Sequence, residues 1–158
     1  MADTMTKAEF LDILRRERAR WTELLAQLPD DRLTQPGAAG HWSVKDVIAH
    51  VTWGEQEMLG VLQNHALVGS DLWNVSEPER NAAVFEQNRD RSLEDVRTEA
   101  EQVYQQLVAA LETLSDEDLN DPSRYADMPA EWVPWQLLAG NTYRHYQEHM
   151  PDLQASSI

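Results

Sequence analysis

The sequence predicts an all-α protein, a four-helix bundle with a long crossover segment between the second and third helices. Apolar residues recur every three to four positions along four long segments, and helix-capping residues precede several of them. No run shows a convincing strand-like alternation of apolar and polar residues. At 158 residues the chain has the length of one domain, which we expect to span 1–158 and to fold without needing a metal.

The first helix is predicted from Lys7 to about Leu28, where Pro29 ends it. Thr6 is followed three residues later by Glu9, which is the pattern of a capping box at a helix start. The next segment is rich in proline and glycine, so it is predicted to be a connection with one short helical turn at Asp30–Leu33.

The second helix has the best-marked start in the chain. Ser43 is predicted as its N-cap, with Asp46 at the third helical position, and the helix should end near His65 or Leu67. His50 lies at the edge of the buried stripe, on the same flank as Trp53, Gly54 and Glu57. Such a position can face a pocket between helices, and Gly54 would leave room for close packing or for a ligand.

The segment from Val68 to Arg91 is predicted to be the crossover, with a short helix over Pro78–Asn88. Connections of this length often form lids or walls of binding sites, although many are surface insertions. Ser92 then caps the third long helix, whose apolar residues continue to Leu114. The many acidic residues on and after this helix predict a solubilising outer face.

The last helix is predicted as one continuous element from Pro134 to Met150. It carries His145 and His149, which are four residues apart and so lie on one face at about 3.6 residues per turn. Apolar neighbours extend the same stripe, so both imidazoles should point toward the core. The stripe comprises Trp135, Leu138, Ala139 and Thr142.

His50, His145 and His149 together predict a three-imidazole metal site between facing helices. Three such ligands leave coordination positions open, which is typical of a catalytic ion. Glu57 and Glu55 are candidates for a general base or a partner of the ligands, and Asn141 for orienting a bound molecule. The spacing alone leaves a second interpretation open, in which the histidines simply hydrogen-bond in the core or lie at its rim. The last helix contains no HExxH zinc-protease motif.

Charge and composition exclude several functions. The formal net charge is −15, with 28 acidic against 13 basic residues, so we expect no binding to nucleic acid or to an anionic membrane surface. The basic run RRERAR, from Arg15 to Arg20, is predicted to be a solvated face of the first helix. The chain has no cysteine, so a metal must use imidazole, carboxylate or water. No signal peptide or membrane-spanning run is recognisable, which predicts a cytoplasmic protein.

Two segments resemble a known family. GHWSVKDVIAHVTWGEQEML is similar to the second helix of the DinB/YfiT-like superfamily of four-helix bundles. PWQLLAGNTYRHYQEH resembles more particularly the ClbS/DfsB branch, whose last helix carries an Asn-Thr pair and a His-Tyr-x-Glu-His pattern. The resemblance implies a divalent metal, zinc or nickel, on the positions of His50, His145 and His149.

The resemblance also implies a choice of activities. Some relatives are metal-dependent transferases or isomerases that use a low-molecular-weight thiol, and the ClbS/DfsB branch is linked to self-protection by hydrolytic opening of a strained ring. The predicted function is therefore a metal-dependent hydrolase or thiol transferase acting on a small electrophilic molecule, with a homodimer as a further expectation. The alternative is a non-catalytic bundle that sequesters an apolar small molecule in a cleft lined by tryptophans: Trp42, Trp53, Trp73, Trp132 and Trp135.

Overall fold

The computed structural model describes residues 3–156, which form eight α-helices and two short 3-10 helices but no β-strand. The prediction of an all-α fold is confirmed. The α-helices are α1 Lys7–Ala26, α2 Asp30–Leu33, α3 Val44–Asn64, α4 Glu77–Asn88, α5 Leu93–Glu112, α6 Asp116–Asn120, α7 Pro134–Gly140 and α8 Tyr143–Ser156. The 3-10 helices are Asp71–Asn74 and Pro122–Arg124.

Four helices close into a bundle. α1 packs against α8 and α5, and α3 packs against the same two helices, so the four form a ring around one core. Large side chains that are almost completely buried fill this core, because each helix turns one apolar face inward. They include Phe10, Leu14, Trp21, Leu107, Leu138, Tyr146 and Leu153.

The helix starts follow the capping signals in the sequence. At α3, the Ser43 hydroxyl accepts a hydrogen bond from the backbone N–H of Asp46 at 3.2 Å, and the Asp46 carboxylate accepts one from the N–H of Ser43 at 2.8 Å. The same reciprocal pair occurs at Thr6 and at Ser115. These bonds satisfy backbone donors that a helix start otherwise leaves unpaired, so the predicted starts are confirmed.

The prediction of one continuous last helix is wrong. The helix breaks at Asn141 and Thr142, whose backbone N–H groups donate to Leu138 and Ala139 at 3.3 and 3.2 Å, three residues back instead of four. Both side chains also bond to carbonyls of the preceding turn, the Asn141 amide nitrogen to Leu137 at 3.0 Å and the Thr142 hydroxyl to Leu138 at 2.8 Å. Asn and Thr compete in this way with the regular helical pattern. α8 then continues beyond Met150, with Pro151 inside it.

The crossover from Val68 to Arg91 contains one 3-10 turn, Asp71–Asn74, and α4. α4 packs on α3 through its buried residue Val84 and also contacts the 3-10 turn. The predicted helix over Pro78–Asn88 is therefore present and begins one residue earlier, after the N-cap Ser76. This arrangement places the crossover as a wall beside the flank of α3 that carries His50.

The expectation that the basic run of α1 is solvated is wrong for Arg18, which is only 9% exposed. Its guanidinium donates to Glu55 Oε1 at 3.2 Å, to the Tyr146 hydroxyl at 3.0 Å and to the Ala100 carbonyl at 3.3 Å. Glu55 is completely buried. Arg18 is inside because these partners, supplied by three other helices, compensate for its lost hydration.

None of the helices formed by the described residues combines the length and the apolar character needed to cross a lipid bilayer.

Candidate metal centre

The imidazoles of His50, His145 and His149 meet between α3 and α8. One ring nitrogen of each lies within 4.8 Å of the other two, and the Nε2 atoms of His50 and His145 are 3.0 Å apart. The ring centroids are separated by 4.8 to 5.2 Å. The structure therefore brings together all three of the predicted ligand residues.

Local sequence explains how the two helices approach each other at this point. His145 and His149 are one turn apart near the start of α8, immediately after the break in the last helix. Gly54 of α3 faces this break, and a Cβ atom placed on it would lie 3.4 Å from His145 Nδ1 and 3.5 Å from the Asn141 carbonyl oxygen. A side chain larger than a methyl group at position 54 would occupy the space of the His145 ring.

The donor set fits a divalent ion. A tetrahedral ion with bonds of about 2.0–2.1 Å to imidazole spaces its nitrogens by roughly 3.3 Å, close to the 3.0 Å between His50 and His145. The Nδ1 atoms of these two rings are buried and have no hydrogen-bond partner among the described residues, so no protein group fixes which nitrogen of either ring carries the proton. The two Nε2 atoms can satisfy each other only if one of them carries the proton, whereas an ion accepts both lone pairs.

Burial keeps the rings of His50 and His145 neutral. Burial lowers the pKa of His50 to about 4, with smaller contributions from His149 and Arg80. Burial, together with the two neighbouring rings, lowers the pKa of His145 to about 3. At neutral pH both rings therefore have a free lone pair, which is the state in which imidazole binds a metal.

Asp152 is a site residue that the sequence analysis missed. Its Oδ2 atom lies 3.1 Å from His149 Nδ1, which directs the other nitrogen of this ring away from the carboxylate. A carboxylate in this position fixes the tautomer and orientation of a metal-binding histidine. The available signal was the spacing of three residues between His149 and Asp152, but ending the predicted helix at Met150 left Asp152 outside it.

The three rings open into a cavity of about 230 Å³. Tryptophans and α4 form the sides of this imidazole cavity, and Arg80 is the only cationic group among the described residues that line it. The Arg80 guanidinium lies 4.7 Å from the centre of a Trp73 ring, in a cation–π contact. The other lining side chains include Trp42, Trp53, Glu77, Asn81, Asn141 and Glu148.

The two predicted catalytic residues are placed differently. Asn141 lines the imidazole cavity, with its amide nitrogen bonded to the Leu137 carbonyl. Glu57 does not line it, because its Oε1 atom accepts hydrogen bonds from the Ser70 backbone N–H at 2.6 Å and from Trp73 Nε1 at 2.8 Å. A catalytic role for either residue remains a prediction.

Glu55, the other acidic candidate, belongs to a separate polar cluster inside the bundle. It accepts hydrogen bonds from Arg18 and Tyr146, while its second oxygen is buried without a partner. Burial raises the pKa of Glu55 to about 7, although Arg18 and Tyr146 both lower it. Because Tyr146 follows His145 and Glu55 follows Gly54, this cluster supports the imidazole cavity from the core side.

Comparison with known proteins connects this architecture to a family. A family model described as the DinB superfamily matches residues 13–151. The crystal structure of an uncharacterised protein from Escherichia coli UTI89 is similar in fold, with a TM-score of 0.77 at 16% sequence identity, over 95% of this chain and 91% of that one. Among curated proteins, none matches this chain.

Proposed function

The chain belongs to the DinB superfamily, and we propose that it is a metal-dependent enzyme acting on a small electrophilic molecule, either a hydrolase or a thiol transferase. His50, His145 and His149 are the proposed ligands. The observation that carries the proposal is the convergence of their ring nitrogens within 4.8 Å of one another at the wall of a cavity. A three-imidazole set leaves room for a further ligand, as catalytic sites require.

A divalent ion held there would supply Lewis acidity toward a carbonyl, a water or a thiol. The donor set consists of imidazole nitrogens, which suit zinc or nickel. A low-molecular-weight thiol is the proposed co-reactant in the transferase version of the function, and water in the hydrolase version.

The residues of the chain have definable tasks around the ion. Asp152 orients the His149 ring, and burial keeps His50 and His145 neutral. Tryptophans supply apolar surface beside the rings, while Arg80 offers a positive charge to an electron-rich group of the substrate. Asn141, at the break of the last helix, lines the cavity and is the proposed residue for orienting a bound molecule.

Metal analysis is the direct test. Purified protein incubated with zinc or nickel should retain about one ion per chain, and the double variant His50→Gln/His145→Gln should retain none. His41→Gln is the matched control, because His41 is exposed and packs on Phe85 outside the triad. Wild-type protein that stays metal-free after this incubation would remove the proposal.

The ClbS/DfsB branch is the finer assignment that we propose within the superfamily. Its support is the pattern of Asn141 and Thr142 followed by His145 to His149, which spans the helix break and the site. Hydrolytic opening of a strained-ring electrophile, with and without added thiol, tests it. Turnover only with thiol would favour a thiol transferase, and turnover with water alone would favour assignment to the ClbS/DfsB branch. Such a self-protection role presumes the cytoplasmic location predicted from the sequence.

Sequestration without catalysis is the second candidate function. Trp53 and Trp73 lie in contact beside the imidazole cavity, with ring centroids 5.1 Å apart and planes tilted by 38°, and this aromatic surface favours binding of an apolar molecule. Tight binding that survives loss of all three histidines, with no turnover, would support it. The expected homodimer is part of neither candidate and is tested separately by sedimentation equilibrium.

A further inference from the structure

A second cavity adjoins the imidazole cavity and is larger, about 470 Å³ against about 230 Å³. It lies between α3, α7 and the first part of the crossover. Trp73 lines both cavities, so the two meet at its side chain. Besides Trp73, the apolar side chains of the lining are Met58, Val61, Leu67, Val68, Trp132 and Leu137.

We propose that this apolar cavity is the subsite for an uncharged apolar chain or aryl group of the substrate, whose reactive group enters the imidazole cavity. The inference rests on the proposed function and names the class of substrate: an electrophile with an apolar tail. Pockets for small molecules usually measure roughly 300–1,000 Å³, so the imidazole cavity alone is small for a substrate of ordinary size. The adjoining cavity supplies the missing volume.

The lining argues for an uncharged occupant. Of the described residues around this cavity, Asp71 is the only charged one, and no basic residue offers a partner to an anionic tail. Val68 and Trp132 are large apolar side chains left 44% and 40% exposed at its edge. Covering them with an apolar group would remove unfavourable hydration in proportion to the apolar surface covered.

The Trp73 side chain, at which the two cavities meet, is held in place by specific contacts. Glu57 binds the Trp73 indole N–H at 2.8 Å and the Ser70 backbone N–H at 2.6 Å with the same oxygen. A Cβ atom on Gly69 would lie 3.0 Å from the Trp73 ring and 3.1 Å from Glu57, so glycine permits this close approach. Glu57 is therefore a positioning residue that acts through Trp73.

The first experiment measures binding to the apolar cavity without metal. The probe is N-phenyl-1-naphthylamine, an uncharged aromatic dye whose fluorescence rises on burial. Val68→Asp should weaken its binding by about tenfold or more, since it places a charge at the rim of the cavity. Val75→Asp is the matched control, because Val75 is 39% exposed in the same segment but lines neither cavity. Equal affinities in the two variants would overturn the proposal.

The second experiment tests the connection between the cavities in zinc-loaded protein. Octanohydroxamate and acetohydroxamate share a metal-binding head and differ in tail length. The longer compound should bind at least about tenfold more tightly, and this gain should disappear in Val68→Asp but not in Val75→Asp. A gain unchanged by Val68→Asp would overturn the proposal. If zinc-loaded wild-type protein binds the dye but neither hydroxamate, the result would instead count against the metal site.

The role of Glu57 has its own readout. Glu57→Gln keeps an amide oxygen that can accept both hydrogen bonds, so dye affinity should stay close to that of the wild type, whereas Glu57→Ala should lower it. Equal dye affinities in Glu57→Ala and Glu57→Gln would overturn the positioning role of Glu57. A second copy of the chain covering the apolar cavity is the competing occupant. A wild-type dimer that Val68→Asp converts to a monomer would overturn the assignment to substrate.

Discussion

The contact between Asp152 and His149 sets how well the third imidazole is oriented. We expect Asp152→Asn to lower zinc affinity by about tenfold or more, because the amide no longer holds the ring with a negatively charged acceptor. Isothermal titration with zinc measures the change. Asp31→Asn is the matched control, since it makes the same change of charge at an exposed position that does not line the imidazole cavity. Equal losses in both variants would point to net charge instead of orientation.

Protonation of Glu55 should give the bundle a distinct pH dependence. Its pKa is raised to about 7 by burial, so between pH 4.5 and 7 the folded chain holds a proton that the unfolded chain releases. This contribution to stability is complete below the unfolded pKa of about 4.5 and is lost as the pH rises through 7. The free energy of unfolding of the wild type, relative to Glu55→Gln, should therefore fall between pH 5 and pH 8. Urea unfolding of both proteins at both pH values measures this difference in the free energy of unfolding. A difference that rises with pH would show that the ion pair with Arg18 dominates.

Arg18 connects α1 by hydrogen bonds to three other helices, so its removal should lower the stability of the bundle. We expect Arg18→Ala to lower the free energy of unfolding by about 3 kcal/mol, because it leaves Glu55 and Tyr146 buried without their cationic partner. Arg15→Ala on the same helix should cost about 0.5 kcal/mol, since both members of its pair with Glu112 are exposed. Chemical denaturation of the two variants compares them, and equal costs would contradict a specific role for Arg18.

The helical elements were predictable from the sequence wherever the signal is local. The start of α3 depends on Ser43 and Asp46, three residues apart, and the structure confirms it. The break at Asn141 was not predictable, because the apolar stripe continues through it. The hydrogen bonds that accompany the break run from the side chains of Asn141 and Thr142 to carbonyls four residues earlier, and both residue types also occur inside regular helices. Burial of Arg18 was missed for a related reason: its partners come from distant parts of the chain.

The same distinction holds for the site. The convergence of His145 and His149 follows from helical spacing, and the position of His50 from its place at the edge of a buried stripe. The apolar cavity involves the crossover, whose path depends on the bonds of Glu57 to Ser70 and Trp73. No periodic pattern encodes such contacts, so this part of the site required the structure.

At the scale of the whole molecule, charge should limit stability at low salt. The formal net charge is −15, so the folded chain concentrates negative charge that the unfolded chain can spread out. Surface pairs such as Arg15 with Glu112, at 2.7 Å, act in the opposite direction but contribute little because they are exposed. At 0.1 M salt, interactions between charges more than about 10 Å apart are screened. Added salt should therefore weaken the long-range repulsion among acidic residues more than the attraction within close ion pairs.

We therefore expect the melting temperature to rise between low salt and 0.5 M sodium chloride. About 1 kcal/mol of relief would correspond to a rise of roughly 2–4 °C for a chain of this size. Calorimetry at pH 7.5 measures the shift, with sodium chloride preferred to sulfate because sulfate strengthens apolar burial independently of charge. A matched series at pH 5, where the net charge is smaller, should show a smaller rise. A melting temperature that falls with salt would mean that the ion pairs of the surface outweigh the excess of acidic residues.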